Sequence, residues 1–339
     1  PALTGHGPRS LRESDRQPPS VAGDCISSSG FVRTVLDGAD VRIPQRDAIQ
    51  GETPVLYTPT LLQKKPFVFP ETPRWYRDTF YFCDIDAGTI YRSDNGTSTA
   101  LYIHGSPVSG WVRLDDGSLL VVAGLERRVV SVRDGVATTF ADATGTVGWA
   151  LNDMLRTPDG HCYVGGVDFN VFADPSKTGQ SSPLVHVAPD GRVDIATREI
   201  VFPNGMTILP SGELLVADSL TGDMLAFTRK PDGSLANRRV WAPIPGEMPD
   251  GISLDAEGAV WVASHHRVLR VREGGEVTDA VDMGATRATA CMLGGADGRT
   301  LLITASDTHD RAQIRANGPS GALYTVRVPV AGAGLPSIY

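Results

Sequence analysis

Excess positive charge, long apolar runs and closely spaced cysteines are all missing from this 339-residue chain. Its 31 Lys and Arg face 39 Asp and Glu, a formal charge of −8, which removes the electrostatic basis for binding nucleic acid or an anionic membrane surface. No apolar stretch approaches the roughly 18 residues needed to span a bilayer. The opening PALTGHGPRSLRESD holds neither an apolar targeting core nor a repeated-Arg signal, so a cytoplasmic protein is the expectation. Cys25, Cys83, Cys162 and Cys291 are too far apart for a short metal-binding or redox motif, and buried, reduced thiols are expected. The patterns G-x-S-x-G, H-E-x-x-H, the phosphate loop and G-x-G-x-x-G are absent, which argues against an elbow-type serine hydrolase, a zinc protease and a nucleotide fold.

What the chain does hold is turn residues, 37 Gly and 24 Pro, and they recur in a pattern. A turn followed by a short β-rich run appears in YRDTFYFCD from Tyr76, RLDDGSLLVVAG from Arg113, RTPDGHCYVGG from Arg156, LPSGELLVADS from Leu209, LDAEGAVWVAS from Leu254 and GADGRTLLITAS from Gly295. The turn positions Asp78, Gly117, Gly160, Gly212, Gly258 and Gly298 lie 39 to 52 residues apart, a spacing that suits one four-stranded antiparallel sheet per repeat. These runs read as inner strands, each followed by a second strand signal.

A small sheet cannot bury both faces alone, whereas radial stacking buries both, so the repeats predict an all-β, six-bladed β-propeller. A seven-bladed circle is the alternative. Residues 52–339 form the propeller on this reading, and residues 52–69 offer a strand that closes the ring against the C-terminal sheet. Residues 1–51 form an N-terminal extension, ordered on the outside or a flexible leader, in which FVRTV and DVRIP can add short elements.

Four polar interruptions precede the expected inner strands: Glu71 in FPETPRW, Asn152 in GWALNDM, Asn204 in FPNGM and Asp250 in MPDGIS. Equivalent positions of a propeller converge on its axis, so residues distant in sequence can share one ion. Two carboxylates and two amide carbonyls are hard oxygen donors, a set that suits calcium. Mg2+ and Mn2+ are further candidates, and Zn2+ more readily recruits His or Cys. The plainer reading of Asn204-Gly205 and Asp250-Gly251 is that Asn and Asp before Gly make turns.

With ETPRW at 71–75, ND at 152–153, TPDGHCYVGG at 157–166, PNGM at 203–206, PDGIS at 249–253 and the late ACMLGGADGRTLLIT, the chain resembles the senescence marker protein/gluconolactonase family, the regucalcin-like lactonases, over roughly residues 55–330. The resemblance implies one catalytic divalent ion in the channel. Glu71, Asn204 and Asp250 fall on the family's ligand motifs, and Asn152 on a motif supplying a further metal- or substrate-facing amide. It also implies hydrolysis of a lactone or activated ester, with Asp250 as base or water-positioning residue. Asp153, beside Asn152, is a further candidate that orients a ligand or water from behind.

The family's sugar-lactonase pattern often carries Arg two residues before the ND asparagine, where this chain has Ala150. A guanidinium suits the hydroxyl and carboxylate groups of a sugar acid, so its absence points away from a simple aldonolactone. Trp149 and Phe169 are candidates for an apolar substrate wall, with core packing as the alternative. His265 and His266 follow an inner-strand run, as candidate proton carriers or substrate donors or as surface-turn residues. Asp307, His309 and Asp310 occupy a similar rim in the last repeat. The competing functions are a metal-dependent isomerase or lyase and a non-catalytic calcium-stabilised binding propeller. The expected partner is a small-molecule lactone or ester, and the expected assembly a monomer or small homo-oligomer.

Overall fold

A computed structural model describes residues 53–334 except 95, 171–173, 178, 309–312, 315 and 317, together with the strands Phe31–Leu36 and Ala39–Pro44. Cys25, His309, Asp310 and the boundary placed between residues 51 and 52 lie outside the described residues.

Six sheets span residues 70–103, 108–142, 150–200, 203–243, 252–282 and 287–327, and are called blades one to six. Each runs antiparallel from its first strand outward. The first strands, Pro70–Tyr76, Val108–Arg113, Ala150–Arg156, Pro203–Ile208, Ile252–Leu254 and Arg287–Gly294, neighbour one another around the ring and line its axis. The chain is thus a six-bladed β-propeller, not a seven-bladed one.

Blade six holds three C-terminal strands and is completed by Thr60–Phe67, which pairs antiparallel with Gly321–Arg327. The ring is therefore closed by hydrogen bonds between the two ends of the propeller. Blade five departs from the four-stranded pattern, because Val55–Tyr57 adds a fifth strand parallel to Val277–Asp282. Tyr57 secures that strand: its ring meets Trp261 edge-on at 6.5 Å and its hydroxyl donates to Asp279 Oδ1 at 3.1 Å. FVRTV and DVRIP form a two-stranded antiparallel hairpin in which Phe31 faces Pro44.

The repeated apolar runs prove to be second strands rather than the innermost ones. Leu119–Ala123, Cys162–Val167, Leu214–Asp218 and Val260–Ser264 are buried along their whole length, since blades stack on both faces, and such strands read as unbroken apolar runs. The turn before each takes the left-handed conformation that a tight hairpin needs, Gly160 at φ 90° and Asp78 at φ 61°. Between blades sit the fully buried Trp111, Trp261, Tyr163 and Phe82. Cys83, Cys162 and Cys291 are buried free thiols, and burial pushes Cys162 up to about 12. Among the described residues no helix is long and apolar enough to cross a membrane.

Candidate active site

The inner strands are poorly legible as β because their ladders are interrupted where they pass the axis. Register shifts fall between Glu71 and Arg74, between Leu151 and Met154, between Pro203 and Met206, and between Ala288 and Ala290. The strand facing Val121 and Ala123 slips in the same way around Ser109 and Gly110. A bulge bends the strand and re-aims its side chains, so five blades offer one or two irregular positions at the axis, Glu71-Thr72, Ser109-Gly110, Asn152-Asp153, Asn204-Gly205 and Thr289. In blade five Asp250-Gly251 lies just before the first strand, which has no register shift.

A closed belt of hydrogen bonds holds these segments together. Thr72 Oγ1 donates to Ser109 O at 2.7 Å, and Ser109 Oγ to Leu151 O at 2.9 Å. Asn152 Nδ2 donates to Pro203 O at 3.3 Å, and Ser219 Oγ to Pro249 O at 2.7 Å. Gly251 N donates to Thr289 O at 3.0 Å, and Thr289 Oγ1 to Pro70 O at 2.6 Å. Six links join six blades, which fixes the axial segments against one another.

Asn204-Gly205 lies within the strand Pro203–Ile208 rather than in a turn, and neither Gly205 nor Gly251 takes the left-handed conformation. Their role is close approach. A Cβ on Gly251 would lie 2.2 Å from Ala290 Cβ, and one on Gly205 would lie 2.5 Å from Asp250 O. Missing side chains let blades four, five and six meet near the axis.

Glu71, Asn204 and Asp250 come together from blades one, four and five. The charge of Asp250 acts on the Glu71 carboxyl, and the Asn204 amide favours the ionised form of Asp250. Burial holds the Glu71 carboxyl well above the usual range, and the negative charges of Asp250 and Asp153 push it further. Burial and then Asp153 raise Asp250 in the same way. Asn152 is partly buried and joins through Pro203, the residue before Asn204.

The two amides are anchored through nitrogen. Asn152 Nδ2 donates to Pro203 O, and Asn204 Nδ2 donates to Ser219 Oγ at 3.2 Å, an orientation that suits their carbonyl oxygens to a cation. Among the described residues no group of three or more His, Cys, Asp or Glu side chains is arranged to hold a metal ion; this cluster has two carboxylates, and amides supply its other oxygens. Two neighbouring acids, both raised in their titration and flanked by amide oxygens, are the kind of site a hard cation relieves, so the donor set fits a divalent ion such as calcium.

Asp153 turns from the pair toward Arg74. Arg74 Nη2 lies 3.4 Å from Asp153 Oδ1 and donates to Met154 O at 2.9 Å. Despite that guanidinium, burial raises the Asp153 carboxyl. Arg74, Ser109, Ser219 and Thr289 also belong to the site, and no sequence motif marks them as such. Arg74 lay in ETPRW and Ser219 in LLVADS, where each read as part of a motif or strand end.

The rim residues are dispersed. Trp149 and Phe169 extend the two strands of blade three beyond the paired Ala150 and Val167, at the end of the blade nearer Asn152. Both are only partly buried, which sets aside full core packing, and Lys177 Nζ lies 5.6 Å over the Phe169 ring. His265, at φ 46°, accepts a bond from Ala288 N on the neighbouring inner strand. Burial, with Arg287 and His266 adding, depresses it to about 4. His266 is exposed. Asp307 pairs outward with Lys64 at 3.8 Å.

Fold and site together define a six-bladed propeller with a carboxylate and amide cluster at its axis. The chain belongs to the SMP-30/Gluconolactonase/LRE-like family, which it matches over residues 69–307. It is 26% identical over 285 residues to 6-deoxy-6-sulfogluconolactonase of Pseudomonas putida, covering 80% of this chain and 96% of that protein. It is also 26% identical over 269 residues to regucalcin of Gallus gallus, covering 76% and 89%. A solved structure described as a calcium-binding protein, regucalcin, from Agrobacterium tumefaciens shares the fold with a TM-score of 0.70 at 21% identity, covering 85% of this chain and 99% of that one.

Proposed function

We propose that the protein is a metal-dependent hydrolase that opens a lactone or related cyclic ester, acting in the cytoplasm as a monomer or small homo-oligomer, with residues 1–51 outside the catalytic propeller. The observation that carries this reading is the meeting of the buried Glu71 and the partly buried Asp250, two acids from distant parts of the chain, with the Asp250 charge opposing ionisation of Glu71. The lactonase relative, aligned across 96% of its length, supports ring opening as the reaction.

Glu71, Asn152, Asn204 and Asp250 would hold one divalent ion, calcium by their hard-oxygen chemistry, with Zn2+, Mn2+ or Mg2+ as substitutes. When bound, such an ion polarises the substrate's acyl oxygen and stabilises the negative charge that develops there. Asp250 positions water at the acyl carbon and takes its proton. The new C–O bond forms, the ring C–O bond breaks, and the departing alkoxide recovers the proton, which yields a hydroxy acid. Glu71 contributes charge, and the belt of backbone bonds keeps both acids in register, since small misplacements weaken this kind of catalysis.

Trp149 and Phe169 give the mouth an apolar side, and Ala150 supplies no cationic fork for a sugar acid. We therefore assign the substrate to less hydroxylated, aliphatic or aryl lactones and esters. His265, depressed to about 4 and so neutral near pH 7, is the candidate proton carrier at the rim, with His266 and His309 as candidate substrate contacts. The test is hydrolysis of a panel of sugar, aliphatic and aryl lactones by calcium-loaded protein. Turnover of the apolar members supports the assignment; exclusive turnover of aldonolactones rejects the substrate class, and no turnover of any member rejects the reaction.

A further inference from the structure

Among the described residues three acidic side chains meet at the axis, the buried Glu71 and Asp153 and the partly buried Asp250, and the buried cation Arg74 lies with them. Arg74 is 3% exposed and Asp153 8%, and they belong to blades one and three. The guanidinium is fixed by backbone as well as by its partner: Nη1 donates to Pro73 O at 3.0 Å and Nη2 to Met154 O at 2.9 Å, while Asp153 Oδ1 accepts from Met154 N at 2.7 Å. Asp153 acts on the electrostatics of both Glu71 and Asp250. A guanidinium stays charged under all ordinary conditions. Three ionised carboxylates would present −3 to an incoming ion; with Arg74 the set presents −2, the complement of a divalent cation.

We infer that Arg74 is a positioning residue that sets the charge of the axial cluster, holding Asp153 in place while offsetting its charge and so limiting how tightly the site binds a cation. The inference rests on reading Glu71, Asn152, Asn204 and Asp250 as ligands. It distinguishes charge from scaffolding by the sign of the effect. A purely structural Arg74 would loosen the site when removed and weaken cation binding. A charge-setting Arg74 does the reverse, because its loss leaves Asp153 uncompensated.

The experiment is calorimetric titration of Ca2+ into chelator-treated full-length protein at pH 8, with folding of each variant checked by circular dichroism. Arg74→Met tightens Ca2+ binding about tenfold, the size expected of one charge several ångströms from a divalent ion at an effective dielectric well above that of a dry interior. Asp153→Asn weakens it about tenfold, the double variant returns to within about threefold of the parent, and Arg74→Lys, which keeps the charge, stays near the parent. Should Arg74→Met fail to fold, the Asp153→Asn and Arg74→Lys results carry the test alone. Weaker or unchanged binding in a folded Arg74→Met, or unchanged binding in Asp153→Asn, overturns the inference while leaving the ligand assignment standing. A parent protein that binds no Ca2+ overturns both.

Discussion

Asp250, the last polar residue before blade five, lies close enough to Glu71, the first polar residue of blade one, for its charge to oppose ionisation of the Glu71 carboxyl. Two ionised carboxylates so placed repel, so ionisation of one makes ionisation of the other harder. Burial, and then the charges of Asp250 and Asp153, raise Glu71, while burial and then the charge of Asp153 raise Asp250; a bound cation would relieve the accumulated negative charge.

The pair therefore makes the cation-free protein lose stability as pH rises. Both groups titrate higher in the folded than in the unfolded state, so the unfolded chain releases its protons first and stability falls from about pH 4.5 upward. Glu71→Gln removes one of the two acids and flattens that decline by on the order of 2 kcal/mol. Urea unfolding at pH 5 and pH 8, with and without saturating Ca2+, measures it. Equal slopes for parent and variant would refute the opposed-charge reading.

Asp250→Asn tests the base. The amide still offers an oxygen but accepts no proton, and turnover is expected to fall by about 10²- to 10⁴-fold. Metal content, measured alongside, separates lost chemistry from lost ion. Near-parental turnover at full occupancy removes Asp250 from the role.

His265 supplies acid sensitivity from a different quarter. Its folded value of about 4 lies below the unfolded 6.5, so the stability it contributes is complete above pH 6.5 and fades as pH falls from there toward 4. His265→Gln should make stability less steep over that window, by on the order of 2 kcal/mol for a partly buried group. If His265 also carries protons for the reaction, the same variant lowers kcat at pH 7 with unchanged Ca2+ content; unchanged kinetics confine it to a structural part.

Gly251→Ala examines the approach of blades five and six. The added Cβ would fall 2.2 Å from Ala290 Cβ, so overpacking should cost about 1–3 kcal/mol in chemical unfolding. A variant as stable as the parent would show that the strands can part without loss.

At the mouth, Trp149→Ala should lower kcat/KM for an aryl lactone about tenfold while changing an aldonolactone little, as expected when one apolar contact is lost. The converse variant, Ala150→Arg, should favour hydroxylated, acidic lactones. Identical specificity profiles in all three proteins would dismiss the apolar wall.

The repeat count, the ring closure by residues 60–67 and the six blades were legible because second strands buried on both faces leave continuous apolar runs, each opened by a turn residue such as Gly160. The innermost strands were not, since bulges at Glu71, Asn152 and Asn204 break the alternation that marks a strand. Gly205 and Gly251 read as turn residues for a related reason: sequence shows a small residue after Asn or Asp, but only packing shows that its missing Cβ admits a neighbouring blade. The fifth strand at Val55–Tyr57 depends on a tertiary contact between Tyr57 and Trp261, and the Arg74–Asp153 pair joins two blades. Neither has a local signature.

Most directly, the account stands on hydrolysis followed during Ca2+ titration of chelator-stripped protein. The activity should be absent at the start and return in full as one ion binds per chain, with no return in Glu71→Gln or Asp250→Asn. Full lactone turnover by the stripped protein would contradict it.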